Sequence, residues 1–189
     1  AMVLLLYSCA LFFFGRPLSP YYALAALLMM WLYSFPPVRL SYRGGGEVLQ
    51  GIGVGIGLPS VGYYFQAEGI FAPSWVIGPA TLLGVCGNVL TALPDVEDDT
   101  KAQKRTWPVR HGTQSARRFA SAGIAFAAFA IFLWTPSVSL RARAAVAVLP
   151  LAPLLLGARA ADPFRAAWWS SIALNLLIAL WMLALLVQL

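Results

Sequence analysis

The chain has 189 residues, of which 60% are hydrophobic and only 11% charged, with a mean hydropathy of +0.76. Soluble domains carry about 25% charged residues, so a water-soluble domain is excluded as the main architecture, and the long apolar runs point to several bilayer-spanning helices. The formal net charge of +6 does not indicate a nucleic-acid partner, because the cations sit in short loops between apolar runs, where membrane orientation accounts for them.

Helices are the expected element, since backbone groups in lipid must be bonded within their own segment. A lipid-facing barrel needs alternating strands of about ten residues. This chain shows continuous runs instead, such as LNLLIALWMLALLVQL. Apolar segments are predicted at 2–14, 20–34, 48–66, 74–93, 117–135, 144–158 and 167–188. The fold expected is therefore an all-α polytopic membrane bundle of about seven transmembrane helices, one domain over residues 1–189.

The first segment lacks a basic start and a clear cleavage site, so it reads as a helix entered partway along, not as a signal peptide. Pro36 and Pro37 are expected to stop the second helix and set an extended exit. The third segment carries GIGVGIG, which places Gly51/Gly55 and Gly53/Gly57 at G-x-x-x-G spacing. Such spacing lets helices approach closely, and packing inside the bundle is favoured over dimerisation. It is not a dinucleotide fingerprint, because no βαβ unit surrounds it. Pro150 and Pro153 are expected to kink the sixth helix.

Cys9 and Cys86 lie in separate apolar stretches and read as small buried hydrophobes, not as a disulfide or a metal pair. Asn88 and Asn175 are expected to hydrogen-bond between helices, with Asn88 also a candidate for lining a cavity. Trp75, Trp107, Trp168 and Trp169 stand near segment ends, where they read as interfacial anchors. His111 is the only histidine and reads as a solvated loop residue.

Alternating loops put Arg39, Arg43, Lys101, Lys104, Arg105, Arg110, Arg117, Arg118, Arg159 and Arg165 on one side. Only Arg16, Arg141 and Arg143 fall on the other. The positive-inside rule assigns the first group to the cytoplasm, which fits a cytoplasmic-membrane protein. The acidic residues share this asymmetry: Glu47, Asp95, Glu97, Asp98, Asp99 and Asp162 lie with the larger group, and Glu68 lies opposite. Orientation alone does not require both signs of charge on one face, so a polar site open to the cytoplasm is expected there.

The densest part of that face is PDVEDDTKAQKRTWPVRHG, residues 94–112. If the fourth helix continues past Pro94, Asp95 and Asp99 share a face at i and i+4, with Asp98 close to it. Like charges at that spacing repel, and a divalent cation removes the repulsion. Mg²⁺ favours one or two carboxylates with waters and substrate phosphate oxygens. Lys101, Lys104 and Arg105 follow at once and supply phosphate-binding cations. The bland alternative is a solvated loop with loosely paired charges. A second stretch, YSFPPVRLSYRGGGE at 33–47, brings Arg39, Tyr42 and Arg43 beside Gly44, Gly45 and Gly46, with Tyr33 at its start. It reads as a second cationic wall facing the acidic loop.

These two stretches together resemble the UbiA superfamily of intramembrane prenyltransferases. The resemblance covers most of the chain, whose apolar segments follow the order of that family's last seven of nine helices. It implies Mg²⁺-dependent transfer of an isoprenoid chain from a prenyl diphosphate to an aromatic acceptor. Asp95, Asp98 and Asp99 would ligate the metal, and Lys101, Lys104 and Arg105 would hold diphosphate. Arg39 and Arg43 would guide diphosphate or an acceptor carboxylate, with Tyr33, Tyr42 and Asn88 near the substrate. Among family members, the 33–47 stretch is most similar to enzymes acting on 1,4-dihydroxy-2-naphthoate in menaquinone synthesis. GIGVGIG then has a further alternative, a passage for the prenyl tail. The family's first Asp-rich motif, of N-D-x-x-D type, has no counterpart here, so the chain is expected to be the C-terminal part of a longer bundle. An inactive membrane scaffold is the alternative that this absence supports. A transporter is disfavoured, because the charges cluster at segment ends instead of within the spans.

Overall fold

The computed structural model describes residues 2–67, 69–136 and 138–187. Glu68, the acidic residue expected opposite the others, lies outside the described residues. The helices are α1 (Met2–Phe13), α2 (Ser19–Ser34), α3 (Leu40–Arg43), α4 (Gly46–Ile52), a π-helical turn (Gly53–Gly57), and α5 (Leu58–Ala67). They continue with α6 (Ser74–Thr91), α7 (Val96–Lys101), α8 (Trp107–His111), α9 (Thr113–Trp134), α10 (Leu140–Val148), α11 (Leu151–Arg159) and α12 (Pro163–Leu186). No strand occurs among the described residues. Every predicted apolar segment is helical, so the all-α membrane bundle is the architecture observed.

Among the described residues, four helical stretches are long and apolar enough to cross a bilayer: Ser74–Thr91, Thr113–Trp134, Leu140–Arg159 and Phe164–Leu186. In the last of these only 28% of the apolar window is buried. Phe126, Phe129, Leu133, Met182 and Leu183 are among the large apolar side chains left facing outward. In water such a surface would drive association; in lipid it is the solvated face.

The core lies where α6, α9 and α12 meet. Cys86 and Val89 from α6, Ala120, Ile124 and Ala127 from α9, and Ala173 and Leu177 from α12 are all but sealed from solvent. Small residues on α9 let its neighbours come close, which is how spanning helices gain dispersion contact without a hydrophobic drive between them. Cys86 meets the expectation of a small buried hydrophobe, whereas Cys9 is exposed on α1. Its short helix packs against α2.

Two local readings are corrected. The sixth apolar segment is interrupted at its prolines as expected: α10 stops at Val148, Leu149 and Pro150 keep right-handed helical dihedrals, and α11 follows with Pro153 inside it. Proline lacks the amide that would continue the ladder. Asn175 does not reach another helix; its amide donates to the Ser171 carbonyl one turn back at 2.8 Å. Trp107 is half-buried, stacked on Phe119 with centroids 4.6 Å apart and tilted against His111 at 4.7 Å. It locks α8 onto α9. His111 itself is exposed, as a solvated loop residue would be.

GIGVGIG divides into two pairs with different roles. Gly51 and Gly55 are buried against α6: a Cβ on Gly55 would stand 2.1 Å from the Thr81 Cα, and one on Gly51 would stand 2.4 Å from Val85 Cγ2. On α6, Gly84 faces the Gly51 backbone in return. Gly53 and Gly57 point away, toward α2. The π-turn inserts a residue's worth of rotation between α4 and α5.

Gly55→Ala is expected to destabilise the bundle by about 3 kcal/mol or more, because the obstacle is backbone that cannot rotate away. Gly62→Ala, which meets nothing within 4 Å, should leave stability close to the parent. Unfolding midpoints of the two variants in detergent, against the parent protein, measure the difference.

Candidate active site

The charged loops meet at one end of the bundle. Arg105 N–H donates to the Tyr42 carbonyl at 2.9 Å, and Arg110 Nη1 to the Gly44 carbonyl at 3.1 Å. Glu47, buried in the first turn of α4, accepts from the Trp107 N–H through Oε1. Arg117 Nη2 donates to the Gly157 carbonyl at 3.2 Å, which brings the end of α11 to the same side. At the opposite end Arg16 Nη2 donates to the Phe65 carbonyl at 2.9 Å, and Arg143 Nη1 to the Phe132 carbonyl at 3.2 Å. The loops around 39–47, 94–112 and 157–159 thus share one end.

The first wall is built by the exit of α2. Phe35 is extended and ends the helix before Pro36 and Pro37, as proline's missing donor dictates. Arg39 then takes a left-handed conformation, φ 44°, ahead of α3. This sharp turn lays its guanidinium over Tyr42, 3.7 Å from the ring centroid. The Arg39 Nε is buried and has no hydrogen-bond partner. Gly44 closes the turn at φ 86°, where a Cβ would stand 2.5 Å from Arg110 Nη1 and 2.7 Å from the Arg105 carbonyl. Only glycine fits both that dihedral and that approach.

The acidic loop is not a continuation of the fourth helix. α6 ends at Thr91, and a new short helix, α7, starts after Asp95. The Asp99 N–H donates to the Asp95 carbonyl at 2.7 Å, so one helical turn still relates the two residues. Their side chains part company nonetheless. Asp95 and Asp98 are exposed, while Asp99 is buried. Lys104 Nζ donates to Asp99 Oδ1 at 2.7 Å, and Thr106 Oγ1 to Oδ2 at 3.3 Å. Lys101 makes an open ion pair with Asp98 at 3.2 Å, of the kind worth little in water.

Lys104 therefore belongs to both stretches. Its ammonium is held by Asp99 and stands 5.6 Å from the Tyr42 ring, on which Arg39 also lies. The hydrogen bond to Asp99 raises its pKa above the ordinary lysine value; burial opposes this, and the Asp99 charge adds to the rise. Tyr33 sits at the end of α2, its ring edge against Gly46. Arg43 and Arg105 are exposed beside this group. Asn88 is half-buried on α6, a turn above its end, and does not line the apolar cavity that Tyr33 borders.

Hard carboxylate oxygens are the donor type Mg²⁺ prefers. Among the described residues, no three His, Cys, Asp or Glu side chains gather into a metal cage. Magnesium sites commonly take one or two carboxylates and complete the shell with water and phosphate, and the exposed carboxylates of Asp95 and Asp98 suit that arrangement.

Glu47 and Thr106 also belong to this frame, and the sequence alone assigns neither a role in it. Glu47 had one visible signal: it is an acidic residue at the very edge of an apolar run. Thr106 had none, because its role depends on where Asp99 points.

The carboxylates and cations thus gather at one end of a bundle of apolar helices. Residues 1–181 match the UbiA prenyltransferase family, and the chain belongs to it. It is also similar to a lycopene elongase/hydratase from Haloferax volcanii, 30% identical over 138 residues. That match covers 72% of this chain and 44% of the relative's length. No solved structure matches the chain.

Replacing Lys104 with Met leaves a buried carboxylate short of its charged partner. The expected loss at neutral pH is about 2 kcal/mol, below the value for a fully buried pair because Lys104 is one-third exposed. A lysine whose pKa is raised by folding contributes fully below its unfolded value and loses that contribution as pH rises through the folded value. The gap between parent and Lys104→Met should therefore be constant from pH 7 to about 9 and close above about 10.4. Denaturation midpoints across that range check it.

Proposed function

We propose that the protein transfers an isoprenoid chain from a prenyl diphosphate to an acceptor within the membrane. The observation that carries this reading is Tyr42: its ring lies under Arg39 and 5.6 Å from the Lys104 ammonium, and its carbonyl accepts from the Arg105 backbone N–H, so the two charged stretches meet there. Arg39, Arg43, Lys101, Lys104 and Arg105 bind the diphosphate oxygens. The unpartnered Arg39 Nε is a donor ready for an oxyanion, and a guanidinium offers phosphate a planar fork.

Asp95, Asp98 and Asp99 are the carboxylates that would hold Mg²⁺. Asp95 and Asp98 are exposed to receive it, whereas both Asp99 oxygens already accept bonds from Lys104 and Thr106. When bound, the metal supplies positive charge that stabilises the diphosphate as the C–O bond breaks. The protein's own part is to orient that leaving group, to keep Lys104 protonated beside it, and to hold the developing allylic cation among apolar walls away from water. Tyr33 and Tyr42 place electron-rich rings at the mouth, where a cation is favoured over a ring face.

The acceptor that the 33–47 stretch favours is an aromatic quinone precursor such as 1,4-dihydroxy-2-naphthoate. The similarity to a lycopene elongase/hydratase supports a second reading, in which the nucleophile is an alkene of a polyene. Both use the same diphosphate site. The charged end of the bundle faces the cytoplasm in this proposal, following the positive-inside bias.

Asp95→Ala and Asp98→Ala are expected to lower transfer by a factor of about 100 or more while leaving the unfolding midpoint unchanged. Asp99→Ala should lower both, because it removes a buried partner as well. Radiolabelled prenyl diphosphate, offered with 1,4-dihydroxy-2-naphthoate or with lycopene, reads the activity and the acceptor class together. Undiminished transfer by Asp95→Ala and Asp98→Ala would remove the metal assignment. Diphosphate binding without turnover on any acceptor would favour a non-catalytic scaffold.

A further inference from the structure

An apolar groove of about 380 Å³ runs between α2 and the α4–π–α5 helix. On one wall Tyr22, Ala25, Met29 and Tyr33 recur at i, i+3, i+7 and i+11, a single helix face. On the other wall Gly53 and Gly57 leave the space open. The groove's two ends differ in chemistry. At Tyr33 it meets the 39–47 stretch: Ser41 Oγ donates to the Tyr33 carbonyl at 2.7 Å, and the Tyr33 ring edge lies against Gly46. At Tyr22 it stops. The Tyr22 hydroxyl donates to the Ile70 carbonyl, and its ring lies 5.4 Å from that of Tyr64. Tyr64 is buried, and its hydroxyl accepts from the Leu18 N–H at 3.0 Å. Both rings are thus fixed by backbone hydrogen bonds, and the end wall is stiff.

We infer that this groove measures the isoprenoid chain, with the Tyr22–Tyr64 pair as its stop. The inference rests on the prenyl-transfer reading and adds the substrate's length to it. A prenyl diphosphate has an anionic head and an unbranching apolar tail, the same polarity as the groove from Tyr33 to Tyr22. Eleven helical residues at about 1.5 Å each separate those tyrosines by about 16 Å. An isoprenyl unit, four carbon–carbon bonds of about 1.5 Å, advances about 5 Å. The length gives about three units, a fifteen-carbon tail.

Two substitutions move the stop in opposite directions. Tyr22→Ala removes the wall and lengthens the groove. Gly57→Leu fills it midway; a Cβ there meets only the Ile52 carbonyl, at 3.9 Å, so the helix has room for it. Tyr22→Phe keeps the ring and is the control for loss of the hydroxyl bond.

The test is the rise in unfolding midpoint of the purified protein with prenyl diphosphates of five, ten, fifteen and twenty carbons, run beside product formation for each. The parent is expected to bind progressively more tightly up to fifteen carbons and at least tenfold more weakly at twenty. Tyr22→Ala should accept twenty, Gly57→Leu should stop at ten, and Tyr22→Phe should follow the parent. If Tyr22→Ala does not fold, Gly57→Leu carries the test alone. Affinity that climbs steadily to twenty carbons and ignores these substitutions would place the tail in lipid and overturn the ruler, leaving the transfer reading intact. No binding of any prenyl diphosphate would overturn both.

Discussion

The bundle depends on one backbone-to-backbone crossing. Gly51 and Gly55 lie against Thr81 and Val85 of α6, and Gly84 faces Gly51 in return. At Gly55 the obstacle is the Thr81 backbone itself. Because helices in lipid gain little from excluding water, close contact of this kind is the main source of their association. The crossing fixes how far α4 slides along α6. That offset decides which residue at the start of α4 stands opposite the chain that leaves the end of α6.

The consequence appears at the charged end. With α4 seated on α6, Glu47 in its first turn reaches the Trp107 N–H. Trp107 in turn is stacked on Phe119 of α9. The 94–112 loop is therefore held at its middle by a carboxylate from one helix and an aromatic pair from another. Arg105 and Arg110 bond to the Tyr42 and Gly44 carbonyls on either side. A loop this polar would otherwise have many conformations, and ordering each backbone residue costs about 1–2 kcal/mol. The anchors offset that cost and leave Asp95 and Asp98 exposed while Asp99 is committed to the frame.

The same crossing shapes the groove. Since Gly51 and Gly55 face α6, the other pair of the GIGVGIG run faces α2, with the π-turn adjusting the rotation. One short sequence thus serves packing on one side and an open channel on the other. At Tyr33 the groove reaches the stretch that carries Arg39 and Tyr42, through the Ser41 Oγ bond to the Tyr33 carbonyl.

Much of this was legible in the residues. The low charge and long apolar runs determined an all-α membrane bundle, because lipid leaves the backbone no other partner. The prolines at 36 and 37 determined where α2 stops, and the two motif stretches carried the family. Other features had no local signature. Asp95, Asp98 and Asp99 are chemically alike in sequence, yet the break after Thr91 restarts the helix and turns only Asp99 inward to Lys104 and Thr106. Asn175 was expected to bridge helices and bonds within its own, since an amide exposed to lipid takes the nearest carbonyl. Trp107 reads as an interface anchor until Phe119 is seen beneath it. The sequence by itself determined the elements and the chemistry available at one end, because those follow from residue type and the solvent. Which carboxylate is exposed, which glycine packs and which lines a groove were decided by the tertiary structure, because they depend on helix rotation and offset, and contacts distant in sequence set both.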